Sequence, residues 1–564
     1  MDEFKKDIVK IVSKTADITD SMLETPPSPG LGDFALPCFA LAKEMKKSAA
    51  EIAKQIEANS RPTDLVERIV AAGPYVNFFI SPSKFAGLVL KGIMKLKNSY
   101  GKSLSGKGKT VMIEYSSPSV NKPQHLGHIR NNVLGFSLAE IFEASSHKVI
   151  KANLYNDRGI HICKSMLAYK KFGSGKEPDK KPDHFVGDFY VLFNQKARED
   201  GSLSEEAQEL LRKWEDGDKE TRALWKKMSN WVYRGFEETY SNLGVSFDIT
   251  YYESDFYDKG KKIVEEALQK GLLKKNAEGA VYCDLEEFGL PEKIVLRADG
   301  TSIYATQDIY LAKLKFSQYA LDKSVYVIGS EHNLYMQQLF AIIKKLGFDF
   351  ADRLVHRSYG MVFLPEGKMK SREGTVVEAD DIMQKMKALA RDEVIKRHGK
   401  LSESEVEKRA AAIGLAGLKF FILKQDPAKD IYFDPKESIS FEGETGPYVQ
   451  YAFARACSVL KKFGKPVSGA VDFSRLASES EKKLIRALSQ FPDAVEGSLK
   501  SLSPSKTAHY LVSLAQSFNE FYHSCPILSE GQGLKKARLF LAYCARQVLG
   551  NGMALLGIER LEEM

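Results

Sequence analysis

The 564-residue chain predicts an α/β protein: a doubly wound parallel sheet in its middle, an α+β unit before it and an all-helical unit after it. Three observations carry this expectation. The apolar, β-branched run Thr110–Tyr115 reads as a buried strand; a Ser/Pro/Asn loop, Ser116 to Pro123, follows it. Leu126, Ile129, Val133 and Phe136 then recur at helical spacing, and a second strand, Val149–Leu154, comes next, as strand–helix–strand alternation requires. From about residue 436 onward only the helical period persists.

Taken in order, residues 1–100 form the first unit. Phe4, Ile8 and Ile11 mark an amphipathic helix, Ala40–Ile56 predicts a second, and Pro74–Ile80 reads as a strand. Asn77 and Phe78 on that strand offer an amide and a ring, a pairing that can recognise an unpaired base; the equal alternative is that Phe78 is core and Asn77 a strand-edge residue. Asn98–Lys109, dense in Gly, Ser and Lys, reads as a linker. The middle unit, 101–435, contains a charged helical insertion near 173–235, with Trp214, Trp225 and Trp231 among lysines and glutamates. Asn156-Asp-Arg-Gly159 falls at a strand's carboxyl end, where ligands bind in open parallel sheets. Ile303–Ala312 begins a helix that presents Tyr304 and Asp308 one turn apart on one face. Val325–Gly329 is a further buried strand, running into Ser330-Glu-His-Asn333. In residues 436–564 the helical period recurs at Val449, Ala452, Phe453, Ala456 and Leu460, and near 482–490, 508–521 and 534–556.

At this length the chain exceeds one core and predicts about three domains. Lys and Arg exceed Asp and Glu by 82 − 74 = 8, which permits a polyanionic partner without demanding one. The six cysteines are scattered with no CxxC pair, which argues against a zinc ribbon or a disulfide framework, and no protein-held structural metal is expected. The opening residues lack a signal-peptide core. The longest apolar patch, Ala410–Leu423, is interrupted by Lys419 and falls short of a membrane span. A cytoplasmic monomer is the expectation.

The stretch that organises the chain is Glu114–Arg130. A strand–loop–helix crossing gathers unpaired backbone N–H groups and the positive end of the helix dipole, a ready site for a nucleotide's phosphates. His125 and His128, three residues apart at the helix start, add directed donors, and Gly127 between them lets a bulky group approach the backbone; taken alone, the two histidines could equally cap the helix or join a core network. Far downstream, Gly367-Lys-Met-Lys-Ser-Arg-Glu-Gly374 is a basic loop between Val362-Phe363-Leu364 and Val376-Val377.

His125-Leu-Gly-His128 followed by Lys368-Met-Lys-Ser-Arg372 resembles the HIGH and KMSKS signatures of class I aminoacyl-tRNA synthetases. Their spacing, 368 − 128 = 240 residues, suits a nucleotide-binding fold with an insertion between its halves. The flanking words Ser116-Ser-Pro, Tyr304-Ala-Thr-Gln-Asp308 and Gly446-Pro-Tyr-Val-Gln-Tyr-Ala452 resemble arginyl-tRNA synthetases in particular, over nearly the whole chain.

That resemblance implies ATP with Mg2+, L-arginine and its tRNA as partners, and an arginyl-adenylate intermediate. It places ATP against His125, Gly127, His128, Lys368, Met369, Lys370, Ser371 and Arg372. The arginine pocket becomes Glu114, Ser117, Pro118, Ser119, His128, Tyr304, Asp308 and His332, with Asp308 the leading partner for the guanidinium and Glu114 second. Residues 1–100 would bind the tRNA elbow, with Asn77 and Phe78 as contacts, and 436–564 the anticodon, with Tyr448 a further tRNA contact. Three positions depart from the family pattern. Ser119 stands where Asn is usual, leaving the substrate-backbone contact to Asn121 if it is kept. His332 stands for Gln, and Ser371 for the fourth-position lysine, so that Lys122 or Lys370 would bind the α-phosphate, Lys122 being favoured. The insertion is far shorter than the editing domains of some relatives, and arginine has few natural mimics to exclude. Two other readings remain open: a different HIGH-type nucleotidyltransferase, and a catalytically silent paralogue that only binds RNA.

Overall fold

The computed structural model describes residues 2–363, 377–397, 401–467 and 469–564. The basic stretch with Lys368, Met369, Lys370, Ser371 and Arg372 lies outside the described residues. By contacts the chain divides into two compact units: 1–100 with 456–490 and 516–548, and 101–455 with 491–515 and 549–564. The helices of the last third are therefore shared between the two.

In the first unit the helix Asp2–Val12 buries Phe4, Ile8 and Ile11 against a three-stranded antiparallel sheet ordered Phe34–Pro37, Tyr75–Ile80, Val66–Ala72. The helix expected over 40–56 is two helices, Phe39–Met45 and Ala49–Asn59. Lys46 takes a left-handed conformation (φ 50°) and Ser48 caps the second helix with Glu51, so local capping overrides the continuous apolar period. The strand Tyr75–Ile80 forms as expected, but in register Phe78 faces Phe34. Phe78 is fully buried and Asn77 is 6% exposed. The reading of both as base contacts is thus corrected: a ring sealed in the core has no face for a base. On that strand the outward ring is Tyr75, edge-to-face with exposed Phe39 at 5.6 Å.

The second unit holds a five-stranded parallel sheet ordered Leu354–Tyr359, Lys323–Gly329, Thr110–Glu114, Lys148–Tyr155, Ile249–Tyr252. Thr110–Glu114 is the first of these strands in sequence and sits at the centre. The chain winds outward on one side, then returns to build the other, which makes the carboxyl end of Thr110–Glu114 the topological switch point. The segment expected as a linker is docked: Ser103 and Gly106 donate to the carbonyls of Ala144 and Ser145. The insertion forms the helices Pro182–Glu199, Ser202–Glu215 and Lys219–Leu243, and its tryptophans serve the structure. Trp231 packs on Tyr169 and Phe185, and Trp225 donates from Nε1 to the Asp157 carbonyl at 2.6 Å.

One buried cation ties this unit together. Arg130, on the helix Leu126–Ala144, donates to the carbonyls of Gly360 (2.7 Å), Met361 (3.0 Å), Pro427 (3.0 Å) and Lys429 (2.7 Å). Burial lowers its pKa to about 10, and four carbonyl acceptors hold the charge in place. Arg130→Met is expected to cost about 3 kcal/mol or more, because it strands four buried acceptors. Urea unfolding of the two proteins measures this, and an unchanged midpoint would refute the role.

Candidate active site

The loop after Thr110–Glu114 turns through two consecutive left-handed residues, Ser116 (φ 75°) and Ser117 (φ 47°). Each costs on the order of 1 kcal/mol for a residue with a Cβ. Side-chain amides offset this: Asn131 accepts from the Ser116 N–H at 2.5 Å and Asn153 from the Ser117 N–H at 3.1 Å, while Asn156 donates to the Ser117 carbonyl at 3.0 Å. Ser117 is thereby half-buried at the switch point, with Pro118 buried and Ser119 exposed beside Asn156. Asn121 is buried with its Oδ1 unpartnered among the described residues, so it does not present an amide at the surface in place of Ser119.

At the helix start the two imidazoles form the cap. The His125 Nδ1 accepts from the Gly127 N–H and the His128 Nδ1 from the His125 N–H, both at 3.1 Å, with the rings 4.0 Å apart. A Cβ on Gly127 would come within 2.9 Å of the His125 ring, so this glycine makes room for the imidazole. The expectation of unpaired backbone donors is corrected here: the Leu126 N–H goes to the Val377 carbonyl (3.2 Å) and the His128 N–H to the His125 carbonyl (2.8 Å). Because each Nδ1 accepts, both rings are the Nε2–H tautomer, and those N–H groups remain as donors. Burial, helped by Lys122, lowers the His125 pKa to about 4; burial, with His125 and Lys122, sets His128 well below its usual value. Lys122 thus lies within electrostatic reach of both rings.

The described residues on either side of the basic Lys368–Arg372 stretch are both bonded to the chain at or next to the helix Leu126–Ala144. Before it, Val362–Phe363 follows the carbonyls that Arg130 holds. After it, Val377 and Ala379 bond to Leu126 and Gln124, so that Glu378 bridges His125 in antiparallel fashion. Two segments 378 − 125 = 253 residues apart in sequence therefore meet at one helix terminus.

A group of neighbouring acids lies at the start of another helix. Asp308, at the start of the helix Tyr304–Gln318, accepts from the Tyr335 hydroxyl. Burial first, and nearby Glu114 second, raise its pKa to about 6 against that hydrogen bond. Glu114 itself is committed: its carboxylate lies 2.5 Å from the Lys315 ammonium, both fully buried. That pairing makes Glu114 part of the pocket's frame. Sequence reading missed Glu253, which is 4% exposed with Oε2 unpartnered among the described residues. Burial, together with Asp157 and Asp308, lifts its pKa to about 8 although Arg158 and Gln307 pull the other way. The Ser254 N–H and hydroxyl both donate to Asp157, at 2.9 and 2.7 Å, which fixes the turn that carries Glu253. Tyr304 is exposed above these groups, and its phenol is shifted up by burial and then by Glu253 and Asp308. His332 lies exposed after the strand Lys323–Gly329, its Nε2 3.6 Å from Glu331, and Tyr448 is half-buried in the helix Gly446–Phe463.

A parallel sheet with this strand order, two histidines capping the helix at its switch point and a distant segment returned to them defines a class I aminoacyl-tRNA synthetase catalytic domain. The family profile for "tRNA synthetases class I (R), catalytic domain" matches residues 90–435. Those for the "Arginyl tRNA synthetase N terminal domain" and the "DALR anticodon binding domain" match 2–80 and 449–564. The chain belongs to the arginyl-tRNA synthetase family. It is 45% identical over 562 residues to the arginine–tRNA ligase of Parabacteroides distasonis, covering 94% of each chain. It is 44% identical to that of Treponema denticola, covering 96% of this chain and 94% of the other. The solved Thermus thermophilus arginyl-tRNA synthetase superposes over the whole of both chains with a TM-score of 0.83 at 26% identity.

Depressed pKa values keep both histidines neutral at working pH. Their ring signals are expected to stay flat from pH 8 down to about pH 5.5 in an NMR titration of labelled histidine. Because the unfolded chain takes up protons near pH 6.5 that these sites refuse, they also withdraw stability as pH falls below that value. An imidazole titrating at 6.5 at either position would contradict the site's geometry.

Proposed function

We infer that the acid pocket holds the guanidinium of L-arginine while the histidine end holds the phosphates of ATP. The reaction joins arginine to its tRNA at the expense of ATP through an arginyl-adenylate, releasing pyrophosphate and AMP. The single observation that carries the substrate assignment is the pair Asp308 and Glu253, a half-buried acid and a buried one, both with raised pKa values, the first contributing to the rise of the second. A planar five-donor cation is the group such a pair lacks.

The first step needs alignment more than proton transfer, since the arginine carboxylate is already a nucleophile. In this reading Ser117 and Ser119, at the switch point, meet its α-amino and carboxylate groups, and Tyr304 covers the aliphatic stem. His125 and His128 donate Nε2–H to the phosphates as neutral groups, which strengthens as charge builds on the pentavalent phosphorus. Lys122, near both rings, is the favoured cation for the α-phosphate, with Lys368 and Lys370 of the second motif serving the leaving pyrophosphate. Mg2+ enters with ATP as part of the substrate. By the same reading residues 1–100 contact the tRNA elbow and 436–564 the anticodon, the enzyme acts as a monomer, and it works in the cytoplasm. No described helix is long and apolar enough to cross a membrane.

Asp308→Ala is expected to cut kcat/KM for arginine by roughly a hundredfold or more, as truncating one partner of a buried ion pair does, with the KM for ATP within threefold. Equal losses for both substrates, or none, would reassign the residue. The KM for arginine should fall as pH rises from 6 to 8.5, because Asp308 (about 6) and Glu253 (about 8) must shed protons to receive the guanidinium. Glu253→Gln should flatten the upper part of that profile. Charging assays with each amino acid against total tRNA test the whole assignment, which fails if arginine is not the amino acid taken.

A further inference from the structure

The insertion helix Pro182–Glu199 touches both backbone segments that seat His125. On one side Gly187 lies so close to the chain just before the histidines that a Cβ there would be 2.7 Å from Pro123 Cδ. On the other, the His184 ring bridges two carboxylates: Nδ1 to Glu378 at 2.7 Å and Nε2 to Asp380 at 2.8 Å. Lys181 adds contacts to Asp380 (2.8 Å), to Asp183 (3.0 Å) and to the Thr239 hydroxyl (2.6 Å). A ring that bonds an acid through each nitrogen must donate from both, so it is an imidazolium. Asp183, His184 and Asp380 lie within 4.8 Å of one another, a spacing a metal ion could bridge, but the Lys181 ammonium already supplies that charge between the two aspartates.

Glu378 is the residue whose backbone bridges His125, and Asp380 lies in the first turn of the following helix, Ala379–Arg397. We propose that His184 is a positioning residue for adenylate formation: by tying Glu378 and Asp380 to the insertion, it fixes the backbone pairing of Gln124–Leu126 with Val377–Ala379 that aims the two imidazoles. The insertion thereby belongs to the phosphate end of the site, and its contribution is rotational register of a helix cap. Burial opposes charge on His184, yet Asp380 and Glu378 together carry its pKa up to about 10, so the bridge stays intact across the working range. The arginine pocket stands on other elements, the helix Tyr304–Gln318 and the turn at Glu253, and is expected to be indifferent to the tie.

This inference rests on the adenylate-forming reading of the site, and the experiment separates the two. The full-length enzyme and the near-isosteric variants His184→Gln and Asp380→Asn are compared in ATP–pyrophosphate exchange with arginine and tRNA present, and in direct titration with L-arginine. Each single variant is expected to lower kcat about 10- to 100-fold with the arginine dissociation constant within twofold. The double variant should be no slower than the worse single one, because both break the same tie. A purely structural role would instead lower thermal stability and arginine binding along with kcat, and would overturn the proposal. So would kcat values within twofold of wild type in either variant, or fully additive losses. Failure of the wild-type protein to charge tRNA with arginine would sink the underlying reading instead.

Discussion

The arrangement depends on a short antiparallel contact: Gln124–Leu126 bonded to Val377–Ala379, with Arg130 one turn further along the same helix gripping four carbonyls. The catalytic unit is built from two halves that the chain makes at different times. A pairwise backbone contact between them fixes direction as well as distance, because antiparallel hydrogen bonds tolerate little slippage. The guanidinium does the same with a planar fork, which a lysine in its place could not match. Together they make one helix terminus answer to both halves.

The two ends of the site solve opposite electrostatic problems. At the histidine end, which we propose holds phosphates, a strong permanent positive charge on the rings would bind product as well as substrate. Burial keeps His125 and His128 neutral, leaving directional donors whose strength grows only as the transition state develops charge. At the arginine end the protein keeps acids in excess of bases. Lys315 pairs with Glu114, which leaves Asp308 and Glu253 as the acids that the proposed reading gives to a guanidinium. On that reading a neutral isostere of arginine would leave these acids without a cation, and discrimination would follow.

How much of this was legible in the sequence follows from the kind of signal each part leaves. Buried parallel strands write themselves as apolar runs, and Thr110–Glu114, Lys148–Tyr155 and Lys323–Gly329 all formed within two residues of where the pattern put them. The tandem motif survives as words. Burial of a single residue leaves no such trace: in Tyr75-Val-Asn-Phe78 strand alternation permits either face to be core, and pairing with Phe34 put Phe78 inside. Glu253 was missed because an acid in Tyr-Tyr-Glu-Ser-Asp carries no spacing signature; it becomes conspicuous only when Asp157 is seen holding the next residue. The break at Lys46 was hidden because an apolar period continues across it while Ser48 and Glu51 cap a new helix.

The insertion is the most instructive case. Read as sequence, a run of lysines and glutamates with scattered tryptophans describes solvated helices, and much of its surface is that. Yet the residues that matter, Lys181, His184 and Gly187, sit within two turns of each other on the face turned inward, where two carboxylates and a proline from distant parts of the chain complete them. A charged residue reveals its purpose only through its partner, and those partners are nearly 200 residues away. An insertion between two halves of a fold is free to vary so long as it folds. Once it bridges both segments of the contact that joins those halves, its own folding becomes a condition of the chemistry, and its charge pattern is constrained by geometry it does not itself contain.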